Sequence, residues 1–128
     1  MEQTKAKKRI VLIDDDSDIL ESVGMVLDAA GFEVETALNG EEGMVLIRKT
    51  RPDLILCDLM METVDAGIKL ADRYKDTGGQ APFYLLSSVG DATNASLDVR
   101  ALGVDGTIQK PIEPEALIAL VKNALHMR

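Results

Sequence analysis

Arg9–Asp16 reads RIVLIDDD, a short apolar run stopped by three aspartates. Continuous apolar character over so few residues is the pattern of a strand covered on both faces, as in a parallel sheet. Two further runs share it: Leu54–Asp58 (LILCD) and Pro82–Ser87 (PFYLLS). Between them the period changes. Ile19, Leu20, Val23, Val26, Leu27 and Ala30 fall at helical spacing, which predicts a helix from Asp16 or Ser17 to about Ala30, closed by Gly31. Further helices are expected from Asn39-Gly40 to Thr50, then over Asp65–Asp76, Asp91–Ala101 and Glu113–His126. Arg51-Pro52-Asp53, Thr77-Gly78-Gly79 and Gly103 punctuate them. Strands alternating with helices define an α/β domain.

Two strands are more polar, Phe32–Leu38 and Val104–Gln109, as edge strands are. With right-handed crossovers the five fit a doubly wound parallel sheet of order 2-1-3-4-5, the flavodoxin-like arrangement. In that order the chain reverses direction between strands one and three. Ligands bind beyond the carboxyl ends of the strands at that point. Asp14, Asp15 and Asp58 stand there.

Composition agrees with one such domain. The 128 residues are 46% hydrophobic and 28% charged, enough to fill a core; aromatics are 3% and Trp is absent, so that core is aliphatic. Fourteen Lys and Arg against 22 Asp and Glu leave a net charge of −8. Such a chain repels nucleic acid and attracts cations and basic partners. Cys57 is the one cysteine, so no internal disulfide is possible, which suits a reducing cytosol. The N-terminus lacks the apolar stretch of a secretory signal, and no run approaches the roughly 20 residues of a membrane span. The expectation is a cytoplasmic protein with no membrane contact, residues 1–8 forming a frayed tail and 9–128 the domain.

Four strand ends converge on one cleft: Asp14 with Asp15, then Asp58, Ser87 and Lys110. Three carboxylates so close repel one another, and a hard, oxygen-seeking divalent cation such as Mg2+ resolves the conflict. Ser87 offers a hydroxyl and Lys110 an ammonium, both suited to phosphate oxygens. Together they describe phosphoryl transfer to a carboxylate, with Asp58 as nucleophile and Asp14 and Asp15 holding metal. Each residue also has a plainer reading: a helix cap for an aspartate, a surface lysine, a loop hydroxyl. Asp16 is read as such a cap. Cys57 is read as core, His126 as a cation at a helix end, and the Met60 and Met61 side chains as packing.

The motifs IVLIDDD (Ile10–Asp16), PDLILCDLMM (Pro52–Met61), PFYLLSS (Pro82–Ser88) and GVDGTIQKP (Gly103–Pro111) together resemble the receiver domain of two-component response regulators, over Arg9 to His126. The resemblance implies that Asp58 accepts a phosphoryl group from a histidine kinase or phosphotransfer protein. It implies Mg2+ on Asp14 or Asp15, Asp58 and the backbone carbonyl of Met60, with phosphate contacts from Ser87 and Lys110. It implies a cis Lys110–Pro111 peptide and an occasional weak homodimer through the fourth and fifth predicted helices. The chain departs from the pattern in three places. Glu62 and Thr63 replace Pro and Gly, Ala66-Gly67 replaces the Gly after Asp65, and Thr107 stands where an aromatic switch residue is usual. The resemblance also implies that Met60 and Val89 border the path of the hydrolytic water; neither can orient water, so a long-lived phosphorylated state is expected. The expected function is a stand-alone receiver, not an enzyme on a separate substrate. It switches a surface for a downstream protein or passes the phosphoryl group on. The alternatives are a receiver-like scaffold that is never phosphorylated, a flavodoxin-like ligand binder, whose phosphate loop the aspartate run contradicts, and a Mg2+-dependent phosphatase, whose second acid is replaced by Met60.

Overall fold

The computed structural model describes residues 7–61, 65–88 and 104–126. Strands β1 (Arg9–Ile13), β2 (Glu33–Ala37), β3 (Leu54–Asp58), β4 (Phe83–Ser88) and β5 (Gly106–Lys110) form one parallel sheet in the order β2-β1-β3-β4-β5. Helices α1 (Ser17–Ala29), α2 (Gly40–Thr50), α3 (Ala66–Asp76) and α4 (Pro114–Ala124) pack on it. Order, pairing and the placing of polar strands at the edges are as the sequence predicts. The helix expected over Asp91–Ala101 lies outside the described residues, as do Glu62, Thr63 and Val89.

Strand ends move by a residue or two, each for a local reason. Phe32 leaves β2 because its N–H closes the end of α1 on the Leu27 carbonyl, at 3.1 Å. Pro82 has no N–H to give a ladder, and its carbonyl instead accepts from Ile55 at 2.9 Å. Lys110 stays within β5 because it pairs with Ser88. Hydrogen bonding across the sheet starts at Lys8, whose carbonyl accepts from Glu33 N–H at 2.9 Å.

Side chains alternate between two apolar layers. Val11, Ile13, Ile55, Cys57, Phe83 and Leu85 face α2 and α3. Ile10, Leu12, Leu54, Leu56, Leu86 and Ile108 face α1 and α4. The Cys57 thiol is core, as expected, and donates to the Asp58 carbonyl at 3.4 Å. Three of the four helices named above start on a side-chain cap. Asp16 Oδ1 accepts from Asp18 N–H, and Asn39 Oδ1 from Glu42 N–H, both at 2.9 Å. Glu113 Oε1 accepts from Ala116 N–H at 2.8 Å, with Pro114 in the first turn. Gly31 takes φ of 100° just past α1, the left-handed turn predicted for it.

The strand entries are braced by one side chain. Arg9 donates through Nη1 to the Thr50 carbonyl at 2.9 Å and through Nη2 to Glu33 Oε2 at 3.2 Å. Its backbone N–H donates to Asp53 Oδ2 at 2.8 Å, while Asp53 N–H returns to the Arg9 carbonyl at 2.7 Å. β1, β2, the end of α2 and the start of β3 meet on this residue.

Two helical glycines predict opposite responses to the same substitution. A Cβ at Gly24 in α1 meets nothing within 4 Å, so Gly24→Ala gains about 0.5–1 kcal/mol. A Cβ at Gly43 in α2 falls 2.5 Å from Cδ1 of the fully buried Ile13, so Gly43→Ala loses about 1–3 kcal/mol. Urea unfolding of both variants measures this; shifts of the same sign refute it.

Candidate functional site

The aspartate run at the end of β1 divides into three tasks. Asp14 N–H bonds the Ala37 carbonyl at 3.1 Å and keeps the chain in the sheet's direction for one residue more. The Asp14 side chain is fully buried, and its Oδ1 accepts from Asp16 N–H at 2.9 Å. That bond turns the chain so that Asp16 caps α1, while Asp15 faces solvent.

Asp58 closes β3 opposite Leu86 and is 7% exposed. Lys110 closes β5, its side chain 15% exposed, and the peptide to Pro111 is cis, as expected. The Lys110 ammonium lies 2.9 Å from Asp14 Oδ2 and 3.3 Å from Asp58 Oδ1. Carboxylate oxygens of Asp14, Asp15 and Asp58 all lie within 4.8 Å of one another.

The charges are mismatched in number, three carboxylates to one ammonium. Burial and then the neighbouring Asp14 push the Asp58 carboxyl up to about 6, against the opposing pull of Lys110. Burial by itself would lower the Lys110 ammonium, but Asp14 and Asp58 more than offset this and hold it above the usual lysine value. Asp14 Oδ2 makes no well-angled hydrogen bond among the described residues; Lys110 meets it at ion-pair distance alone. A buried oxygen with a lone pair to spare, beside two more carboxylates, is a donor set made of hard oxygen atoms. It fits a hard divalent cation such as Mg2+.

The remaining expected residues sit at the same edge. Met60 follows Asp58 by two residues and is 38% exposed. Ser87 is 4% exposed, pairs with Gln109, and follows Leu86, the residue opposite Asp58. Sequence reading passed over Ser88. It pairs with Lys110 at the carboxyl end of β4. Thr107 is exposed and pairs with Leu85. Tyr84 does not take the place of an aromatic there. Its ring lies over Gly106, where a Cβ would come 2.8 Å from it, and it packs with the α1–α4 layer.

Among the described residues no helix is long and apolar enough to cross a membrane. The chain is 32% identical over its whole length to the transcriptional regulatory protein PrrA of Mycobacterium leprae, covering 54% of that protein. It is 31% identical over 119 residues to the DNA-binding response regulator MtrA of Mycobacterium tuberculosis, covering 51% of it. The chain thus spans about half the length of these curated relatives. Among solved structures, a response regulator from Chloroflexus aurantiacus superimposes with a TM-score of 0.84 at 32% identity, over 94% of this chain and 99% of that one. The chemotaxis response regulator CheY4 of Vibrio cholerae gives 0.82 at 26%, over 93% and 99%. The sequence profile described as the response regulator receiver domain matches residues 10–122, from within β1 to within α4. A match that runs unbroken across the sheet and its acidic edge makes this chain a member of the response regulator receiver domain family, the signalling modules of two-component systems.

Proposed function

We propose that the chain is a phosphorylatable receiver in which Asp58 takes a phosphoryl group from a phosphohistidine donor on a kinase or phosphotransfer protein. The observation that carries this reading is the Lys110 ammonium 2.9 Å from Asp14 and 3.3 Å from Asp58, within a cluster of three carboxylates. In the transfer an Asp58 carboxylate oxygen forms the new P–O bond while the P–N bond to the donor imidazole breaks, its electron pair returning to the ring. Asp14, Asp15, Asp58 and the Met60 carbonyl are the residues that would hold Mg2+. When bound, the cation would neutralise charge on the transferring phosphoryl oxygens. Lys110, already at the cleft, offers the ammonium for one of those oxygens, and Ser87 the hydroxyl for another. The reaction is the domain's own modification rather than turnover of a separate substrate.

We assign no nucleic-acid contact to this domain, whose net charge is −8. The DNA-binding response regulator MtrA named above is about twice its length. The output is a changed surface read by another protein, or passage of the phosphoryl group along a relay.

Three outcomes test the reading. Incubation with acetyl phosphate and Mg2+ gives a single phosphoryl mass gain that Asp58→Asn abolishes; a variant that still gains it refutes the assignment. Asp14→Asn with Asp15→Asn weakens Mg2+ binding about tenfold or more, roughly 1.4 kcal/mol, by calorimetric titration; an unchanged affinity refutes the metal site. Decay of the label after donor removal is slow and quickens in Met60→Asn with Val89→Glu, which supply polar groups to orient water. A double variant that decays no faster than the parent refutes control by these two side chains.

A further inference from the structure

We infer that Gly67 is a positioning residue for the carboxyl end of β3, an inference that rests on the reading of Asp58 as phosphoacceptor. The first turn of α3 sits on the chain just beyond that strand. Gly67 N–H donates to the Leu59 carbonyl at 2.9 Å, and Leu59 N–H donates to the Leu86 carbonyl at 2.9 Å. Leu59 is thereby pinned from one side by β4 and from the other by α3. It is 1% exposed, and its two flanking residues are Asp58 and Met60. The nucleophile and the proposed carbonyl ligand therefore take their places from one doubly anchored residue.

This seating leaves no room for a methyl group at 67. A Cβ there would collide with the Asp58 carbonyl oxygen and lie 2.9 Å from both Leu59 Cα and Leu85 Cδ2. Two of those three atoms are backbone, so no change of rotamer makes space. Either α3 lifts from the sheet or the Asp58–Leu59 peptide moves. Either movement displaces the reactive edge by a fraction of an ångström to about an ångström, a misplacement that is worth up to about a hundredfold in rate. The chain resembles a pattern with Gly directly after Asp65. Here Ala66 occupies that place, half-buried, and the closest approach falls one residue later. The shifted glycine is a feature of how this helix is seated.

The test compares the parent chain with Gly67→Ala, Gly79→Ala and Ala66→Gly with Gly67→Ala. Each is measured for its urea midpoint, its Mg2+ affinity and its rate of labelling by acetyl phosphate. Gly79→Ala is the matched control. Its methyl would collide with the Tyr74 ring, in the loop that precedes β4 and so at the end of the sheet away from Asp58. It lowers the midpoint and keeps Mg2+ affinity and labelling within about twofold of the parent. Gly67→Ala loses about tenfold or more in both, and the double variant loses as much, because the contact belongs to 67. If Gly67→Ala is unfolded, it is placed on the Gly24→Ala background, where the added methyl group firms α1. The inference is overturned if folded Gly67→Ala binds Mg2+ and labels like the parent, or if Gly79→Ala loses as much. It is overturned if moving the glycine to 66 restores function, or if the chain stays unfolded on the stabilised background. A parent that takes neither Mg2+ nor label overturns the functional reading and this inference together. A normal parent beside a normal Gly67→Ala overturns this inference alone.

Discussion

Two carboxylates buried at one edge of a sheet would drive that edge apart, and the Lys110 ammonium lies between them. Unit charges about 4 Å apart interact by about 4 kcal/mol at an effective dielectric near 20, an amount comparable with the whole stability of a small domain. Lys110 contacts Asp14 and Asp58 from the last residue of an edge strand, with 15% of its side chain exposed. β5 must therefore reach this far, and it does so by pairing Lys110 with Ser88. The strand order serves the same end. It sets β1 beside β3, so that Asp14 and Asp58 are neighbours, and β4 carries β5 into reach.

Most of this was legible before any coordinates. Strands buried on both faces carry no polar residue until they leave the sheet, so LILCD announced both the buried β3 and the residue at its mouth. The alternation in the flanking segments marked the edge strands, and from the edges the order followed. Asp16 as a cap and Cys57 as core were read correctly for equally local reasons.

The unread part depended on contacts between distant residues. Nothing local distinguishes buried Asp14 from exposed Asp15; the difference comes from the bond of Asp14 N–H to the β2 carbonyl of Ala37. Gly67 looked like a displaced motif residue. Its role depends on how closely α3 approaches the backbone of Asp58 and Leu59, a distance that no periodicity reports.

The brace at Arg9 gives the molecule a polarity of its own. Where strands enter the sheet, one guanidinium ties β2 and the end of α2 to β1, and Asp53 ties in β3. Where strands leave it, like charges crowd together and their balance changes whenever a ligand arrives. The two margins of the sheet are therefore held by different means: hydrogen bonds and an ion pair where strands enter, one ammonium shared among carboxylates where they leave. A ligand at the acidic margin thus alters charges that take no part in the Arg9 brace.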